Sequence, residues 1–277
     1  MSETPTLDEA LESAAGATTL LVATDFDGVL APFEKNPLEA TPVPGTVDDL
    51  RALAALPGVH VAVVSGRDLE TLRALTGIRE DEPIVLIASH GAESSSEAVR
   101  SAMEAASVTA EDEERLAVLR EDIRILLDDR HPQAGIEHKA AAVVVHTRGL
   151  DREVADAAIA DARRVALEHP GVKVLKGKSV LELSVSHADK GSAVTAYGRD
   201  VGATARVYLG DDVTDEDAFM RMTRPEDVTV KVGSGSTAAR HRIDDEEAAA
   251  KLLTQLVRLR EAHAAGEVRG ETSRPNG

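Results

Sequence analysis

Five short apolar runs punctuate the chain, and four of them end on polar or acidic groups. Residues 18–24 (TTLLVAT) lead into Asp25, and residues 59–64 (VHVAVV) into Ser65-Gly66-Arg67. Residues 83–88 (PIVLIA) lead into Ser89-His90-Gly91, and residues 205–209 (ARVYL) into Gly210-Asp211-Asp212. The fifth, 228–232 (VTVKV), ends on Gly233. The runs are continuous and rich in β-branched residues, the pattern of strands buried on both faces. Helical stretches separate several of them: Val47, Leu50, Leu53 and Leu56 within 46–56, and a second candidate at 69–75. Strands alternating with helices predict an α/β fold with a parallel sheet covered on both faces. Ligands bind such sheets beyond the carboxyl ends of the strands, which is where the polar groups stand.

Between positions 103 and 183 the pattern changes. A charged helical stretch covers 110–130, residues 138–146 (HKAAAVVVH) read as one strand, and 151–169 as an amphipathic helix. Residues 172–175 and 179–185 flank Lys176-Gly177-Lys178, a hairpin signal. This β-α-β-β segment predicts an inserted α+β domain over 103–183, splitting the core into 1–102 and 184–277. From about 264 the tail is rich in Gly, Glu, Arg and Pro, a composition that predicts disorder.

Composition narrows the function classes. At 277 residues the chain can bury a full core with room for two domains. Aromatics are only 2%, so Ala, Val and Leu must do most of the packing. No cysteine is present, which excludes disulfides and thiolate metal sites and fits the cytoplasm. The start, MSETPTLDEALESAAG, is acidic and lacks the apolar centre of a signal peptide, and no run approaches a membrane span. The formal charge of −18 argues against a nucleic-acid surface, but a small anionic substrate needs only a few local cations.

The chemistry concentrates at the strand ends. In Asp25-Phe26-Asp27-Gly28-Val29-Leu30, Asp25 can face a metal and a phosphorus atom. Asp27 can approach a leaving oxygen, and Gly28 lets the chain leave the strand sharply. A helix N-cap or an Asx turn is the alternative for either carboxylate. The run from Gly210 to Phe219 places five acids in seven residues, a cluster suited to Mg²⁺, which prefers oxygen ligands. An acid-rich helix start accounts for Asp215, Glu216 and Asp217, but less well for Asp211 and Asp212. Ser65-Gly66-Arg67 follows a strand and opens a helix, so a hydroxyl and backbone N–H groups can hold a phosphoryl oxygen. Lys190, ahead of Gly191-Ser192-Ala193, can reach the same strand ends.

Taken in order, DFDGVLAP (25–32), SGR (65–67), SHGAE (89–93), Lys190 and GDDVTDEDAF (210–219) resemble the haloacid dehalogenase-like phosphatases, and more closely the trehalose-6-phosphate phosphatases. The resemblance spans about 20–256 and implies a Rossmann-like core with an inserted cap that governs substrate choice. It implies Asp25 as nucleophile, Asp27 as general acid and base, and Mg²⁺ on the Asp25 carboxylate, the Asp27 carbonyl and Asp211. Asp212 or Asp215 supports the metal, with no choice between them. Ser65, Gly66, Arg67 and Lys190 fall to the phosphate. In the cap, GIEHK, HTR and GKSVLEL carry Glu137, Lys139, Arg148, Lys178 and Glu182 as sugar-binding candidates; a solvated strand face with cross-strand ion pairs is the alternative. His146 has a family counterpart without a derivable role.

The activity so implied is hydrolysis of trehalose 6-phosphate to trehalose and phosphate, and a trehalose-6-phosphate synthase is the functional link it suggests. A phosphatase or phosphomutase for another sugar phosphate, such as sucrose phosphate or a mannosyl phosphate, shares the core motifs. A silent sugar-phosphate sensor or synthase partner would be expected to lack Asp25, Asp27 or Lys190.

Overall fold

A computed structural model describes residues 5–104, 108–139, 141–177, 179–185 and 189–272. The chain forms two compact units, Met1–Ala105 with Ala188–Gly277, and Ala106–His187.

The first unit opens with α1 (Leu7–Ala15), β1 (Leu20–Asp25), α2 (Thr46–Ala55), β2 (Val59–Val64), α3 (Leu69–Thr76), β3 (Ile84–Ala88), β4 (Glu93–Ser94) and α4 (Glu97–Glu104). The second unit contains α5 (Ala110–Arg130), β5 (Gly135–Lys139), β6 (Ala142–His146), α6 (Arg152–Leu167), β7 (Lys173–Lys176) and β8 (Val180–Ser184). The chain then returns to the first unit with α7 (Lys190–Asp200), β9 (Ala205–Gly210), α8 (Glu216–Arg221), β10 (Val228–Val232), β11 (His241–Ile243) and α9 (Glu246–Thr272).

The predicted α/β class is what the structure shows. Seven strands lie in the order β11-β10-β9-β1-β2-β3-β4, parallel except for the edge strand β4. β1 sits at the centre, in register with β2 through Asp25↔Val64 and with β9 through Thr24↔Leu209. Its alternate residues serve two helical layers. Leu20 and Val22 pack with Leu11 of α1, Leu50 and Leu53 of α2, Leu72 of α3 and Leu253 of α9. Leu21 and Ala23 pack with Val99 of α4, Val194 of α7 and Phe219 of α8. Burial on both faces is the reason the strand sequences carry no polar alternation. The edge strands β4 and β11 were not foreseen, because two or three mostly polar residues leave no hydrophobic pattern.

In the second unit an antiparallel sheet runs β5-β6-β8-β7. The single strand expected over 138–146 is instead a hairpin, β5 paired with β6 from Gly135↔His146 to Lys139↔Ala142. β5 is largely exposed, so its sequence shows no buried face to mark it. Val143, Val145, Leu181 and Leu183 pack on Leu119 and Ile123 of α5 and Ala162 of α6, forming a separate core. The division falls later than the expected 103 and 183 because Met103 packs into the first unit's core, and Val185 into the second's. Of the tail expected from about 264, residues 273–277 lie outside the described residues. α9 continues through Thr272, past position 264, as a helix once nucleated extends at low cost from its packed segment at Leu252, Leu253, Leu256 and Val257.

One buried ion pair ties β9 to β10. Arg206 Nε and Nη2 donate to Asp227 at 2.9 and 2.5 Å, and Arg224 adds a longer contact at 3.3 Å. Burial opposes ionisation of Asp227, but the hydrogen bonds and charge of Arg206 outweigh it and hold the carboxyl below its usual range. A carboxylate depressed in the folded state adds stability above its unfolded pKa of about 4, and that stability is lost as pH falls through the folded value. Asp227→Asn strands the Arg206 charge and is expected to lose roughly 3–5 kcal/mol at pH 7 in denaturant unfolding. The difference from wild type should shrink below about pH 4. Equal stabilities at pH 7 would contradict this reading.

Candidate active site

The carboxyl ends of β1, β2, β3 and β9 bring the predicted groups of the first unit together. β1 ends at Asp25, and the chain then turns on the Phe26 carbonyl, which accepts N–H bonds from Leu30 and Ala31, each at 2.9 Å. Gly28 has φ +77°, and a Cβ there would lie 2.4 Å from Asp211 Oδ2. Glycine is therefore required both for the left-handed backbone and for the close approach of Asp211 to this turn.

Lys190, the first residue of α7, is buried. Its ammonium donates to Asp25 Oδ2 at 2.7 Å and to Asp215 Oδ1 at 2.9 Å. Asp215 is fully buried and saturated: Oδ1 also accepts the Tyr208 hydroxyl at 2.7 Å, and Oδ2 accepts the backbone N–H groups of Asp211 and Asp212, both at 2.9 Å. Asp212 caps the following turn, its Oδ1 accepting the Val213 N–H at 2.7 Å. Of these two acids, Asp215 is the one whose carboxylate lies with those of Asp25 and Asp211.

Electrostatics follow from crowding. Burial, then the charges of Asp215 and Asp211, push the Asp25 carboxyl well above its usual range, against the pull of Lys190. Burial and Asp215 push Asp211 up to about 7. Burial would raise Asp215 too, but Lys190 and the N–H donors outweigh it and keep it below the usual range. Burial also works against the Lys190 charge, yet Asp215 and Asp25 raise its pKa above that of free lysine.

Oxygens of Asp25, Asp211 and Asp215 lie within 4.8 Å of one another. Asp211 Oδ1 is buried without a hydrogen-bond partner among the described residues. Three carboxylates, only two of them paired with the Lys190 ammonium, and an open oxygen on the third make a donor set that fits a hard divalent cation.

Ser65 follows β2 and is buried. Its Oγ accepts the Arg67 N–H at 3.2 Å, which leaves its own proton free to donate. The loop is tied to the one after β3: Ser89 N–H donates to the Arg67 carbonyl at 2.7 Å and His90 N–H to the Ser65 carbonyl at 3.0 Å. Ser89 and His90 are both left-handed, with φ of 49° and 56°. Gly66 leaves room for the His90 ring, which a Cβ would meet at 2.5 Å. The Arg67 guanidinium, assigned from sequence to the phosphate, forks onto Asp27, Nε to Oδ2 at 2.7 Å and Nη2 to Oδ1 at 2.6 Å.

The second unit places its candidates by register. Glu137↔Val144 and Val144↔Glu182 are opposed pairs, so Glu137 and Glu182 share a face. Lys139 joins them two residues along, on the face opposite the one that packs α5 and α6. Lys139 Nζ donates to Glu182 Oε2 at 2.7 Å, and Glu137 Oε2 lies 2.8 Å from His146 Nε2, which gives that histidine a partner. Arg148 lies exposed in the turn after β6. Lys178 lies outside the described residues.

Two residues at the first site went unnoticed in the sequence. Tyr208 is the one aromatic in the buried strand β9, and such a hydroxyl needs a partner. Lys231, buried near the end of β10, donates to the Asp211 carbonyl.

A trehalose-phosphatase family profile matches residues 23–250. The chain belongs to the trehalose-phosphatase family. A trehalose-phosphate phosphatase of Mycobacterium marinum is 33% identical over 286 residues, covering 99% of this chain and 68% of that protein. An uncharacterized glycosyl hydrolase of Mycobacterium tuberculosis is 38% identical over 205 residues, covering 70% of this chain but only 15% of its own length. The trehalose-phosphatase fold recurs in the C-terminal domain of Candida albicans trehalose-6-phosphate phosphatase. Its TM-score is 0.72 at 20% identity, over 94% of this chain and 99% of that one. No helix among the described residues is long and apolar enough to cross a membrane.

The raised carboxyls give a signed pH dependence. Asp25 and Asp211 bind protons more readily folded than unfolded, so without a cation stability should fall as pH rises from about 4 towards 7. A divalent cation at 100 times its dissociation constant should restore about 2.7 kcal/mol at neutral pH. Urea unfolding with chelator and with cation checks both effects. Asp211→Asn should weaken both, and identical profiles with and without cation would contradict the assignment.

Proposed function

We propose that this chain hydrolyses trehalose 6-phosphate to trehalose and phosphate through an aspartyl-phosphate on Asp25. The observation that carries the reading is the buried Asp25–Lys190–Asp215 chain with Asp211 beside it, in a chain matched by the trehalose-phosphatase family over residues 23–250.

The residues divide the work as follows. An Asp25 oxygen forms a bond to phosphorus while the bond to the sugar oxygen breaks. The departing oxygen keeps that electron pair and takes a proton from Asp27. Asp27 then takes a proton from water as the water oxygen bonds to phosphorus, and the acyl-phosphate electron pair returns to Asp25. Ser65, with the backbone of Gly66, and Lys190 hold the phosphoryl oxygens, and Lys190 also offsets the charge of Asp25. Mg²⁺ would be held by the Asp25 carboxylate, the Asp27 carbonyl and Asp211, and supplies charge neutralisation between the anionic nucleophile and the phosphate. Asp215 fixes this set from behind, through Lys190 and the N–H groups of Asp211 and Asp212.

The sugar falls to Glu137, Lys139, Arg148, Lys178 and Glu182. Two carboxylates and an ammonium on one sheet face, Glu137, Glu182 and Lys139, suit a ligand rich in hydroxyls that both donate and accept. The same reading places the chain downstream of an enzyme that makes trehalose 6-phosphate, and in the cytoplasm, where a chain without cysteine is at home.

Phosphate release over a panel of sugar phosphates tests this. Trehalose 6-phosphate should exceed glucose 6-phosphate, sucrose 6-phosphate and mannosyl phosphates in kcat/KM by about 100-fold, with activity lost in chelator and regained with Mg²⁺. A clear preference for another ester would overturn the substrate.

A further inference from the structure

The two-step chemistry uses Asp27 twice but leaves Arg67 without a part. The guanidinium meets Asp27 as a fork, one N–H to each oxygen at 2.7 and 2.6 Å. Both side chains are largely shielded, 13% and 24% exposed, so the pair is not a mobile surface contact. Arg67 is itself fixed from several sides. Its N–H donates to Ser65 Oγ, its carbonyl accepts from Ser89, and its guanidinium lies over the ring of Phe26, 5.6 Å from the centroid. Phe26 is fully buried between the two acids of the β1 turn.

The geometry points to Arg67 as a positioning residue that sets the orientation of the Asp27 carboxylate for its two proton transfers. This rests on the phosphatase reading above. A carboxylate has about four lone-pair sites, and the fork takes one on each oxygen. Orientation is thus fixed while a site remains on each oxygen for the travelling proton. A lysine cannot replace the fork, since it offers a point charge rather than a planar pair of donors. The left-handed Ser89 and His90 belong to the same device: their N–H groups hold the Arg67 and Ser65 carbonyls and so tie the β2 and β3 loops together.

The test contrasts leaving groups. A sugar oxygen needs a proton to depart, whereas a nitrophenolate leaves without one. In Arg67→Met and Arg67→Lys, kcat/KM for the sugar phosphate should fall by about 100-fold or more, the scale of general acid catalysis. That for p-nitrophenyl phosphate should fall by less than about fivefold, because its departure needs no general acid. Equal losses on both esters would make Arg67 a phosphate-binding group and overturn the proposal, as would retained sugar-phosphate activity in Arg67→Met. A second readout needs no turnover. The Arg67 Nε–H resonance, assigned by its absence from Arg67→Lys, should shift in Asp27→Asn, and an unmoved resonance also overturns the proposal. A wild type active on the nitrophenyl ester but on no sugar phosphate would sink the sugar-phosphate reading instead, leaving the resonance to judge the pair.

Discussion

Three carboxylates crowd a buried site at the ends of β1 and β9, answered by the ammonium of Lys190 and by Lys231 on the Asp211 carbonyl, and the surrounding core is arranged around that crowding. Lys190 answers Asp25 and Asp215 directly, while Asp211 is left with a buried oxygen lacking a partner among the described residues. Such a cluster is costly to bury. It is tolerated because Asp215 is satisfied four times over, by Lys190, Tyr208 and two backbone N–H groups. Asp215 thus acts as a fixed counter-charge, while Asp25 and Asp211 stay under strain that a cation would relieve.

The parallel sheet is what allows this. β1 lies between β2 and β9, so its carboxyl end has a loop from a neighbouring strand on either side. Ser65 arrives from one side and Asp211 from the other, and α7 delivers Lys190 from the layer that packs on Leu21 and Ala23. Gly28 lets Asp211 settle against the β1 turn. The apolar alternation of β1 between two helical layers and the polar clustering at its end are therefore parts of one arrangement.

How far the sequence revealed this depends on what each feature rests on. The central strands were legible because burial on both faces leaves unbroken apolar runs. β4, β5 and β11 were not, since edge or exposed strands are held by backbone pairing, which carries no side-chain signature. Asp25, Asp211 and Lys190 were legible from motif order. Asp215 could be separated from Asp212 only by geometry, as one turn presents both. The fork from Arg67 to Asp27 could not be read from the sequence. The two lie 40 residues apart, and no local pattern announces that pairing. Tyr208 left a weak signal, a hydroxyl inside a buried strand.

The central claim is that Asp25 forms a covalent bond to phosphorus. Acid quenching during turnover, followed by borohydride reduction and peptide mass mapping, tests it directly, because an acyl phosphate is reduced to an alcohol and an ordinary carboxylate is not. Conversion of Asp25 alone to homoserine, only in the presence of substrate, is the result this account predicts. Turnover with an unmodified Asp25, or with the label on another residue, would contradict it.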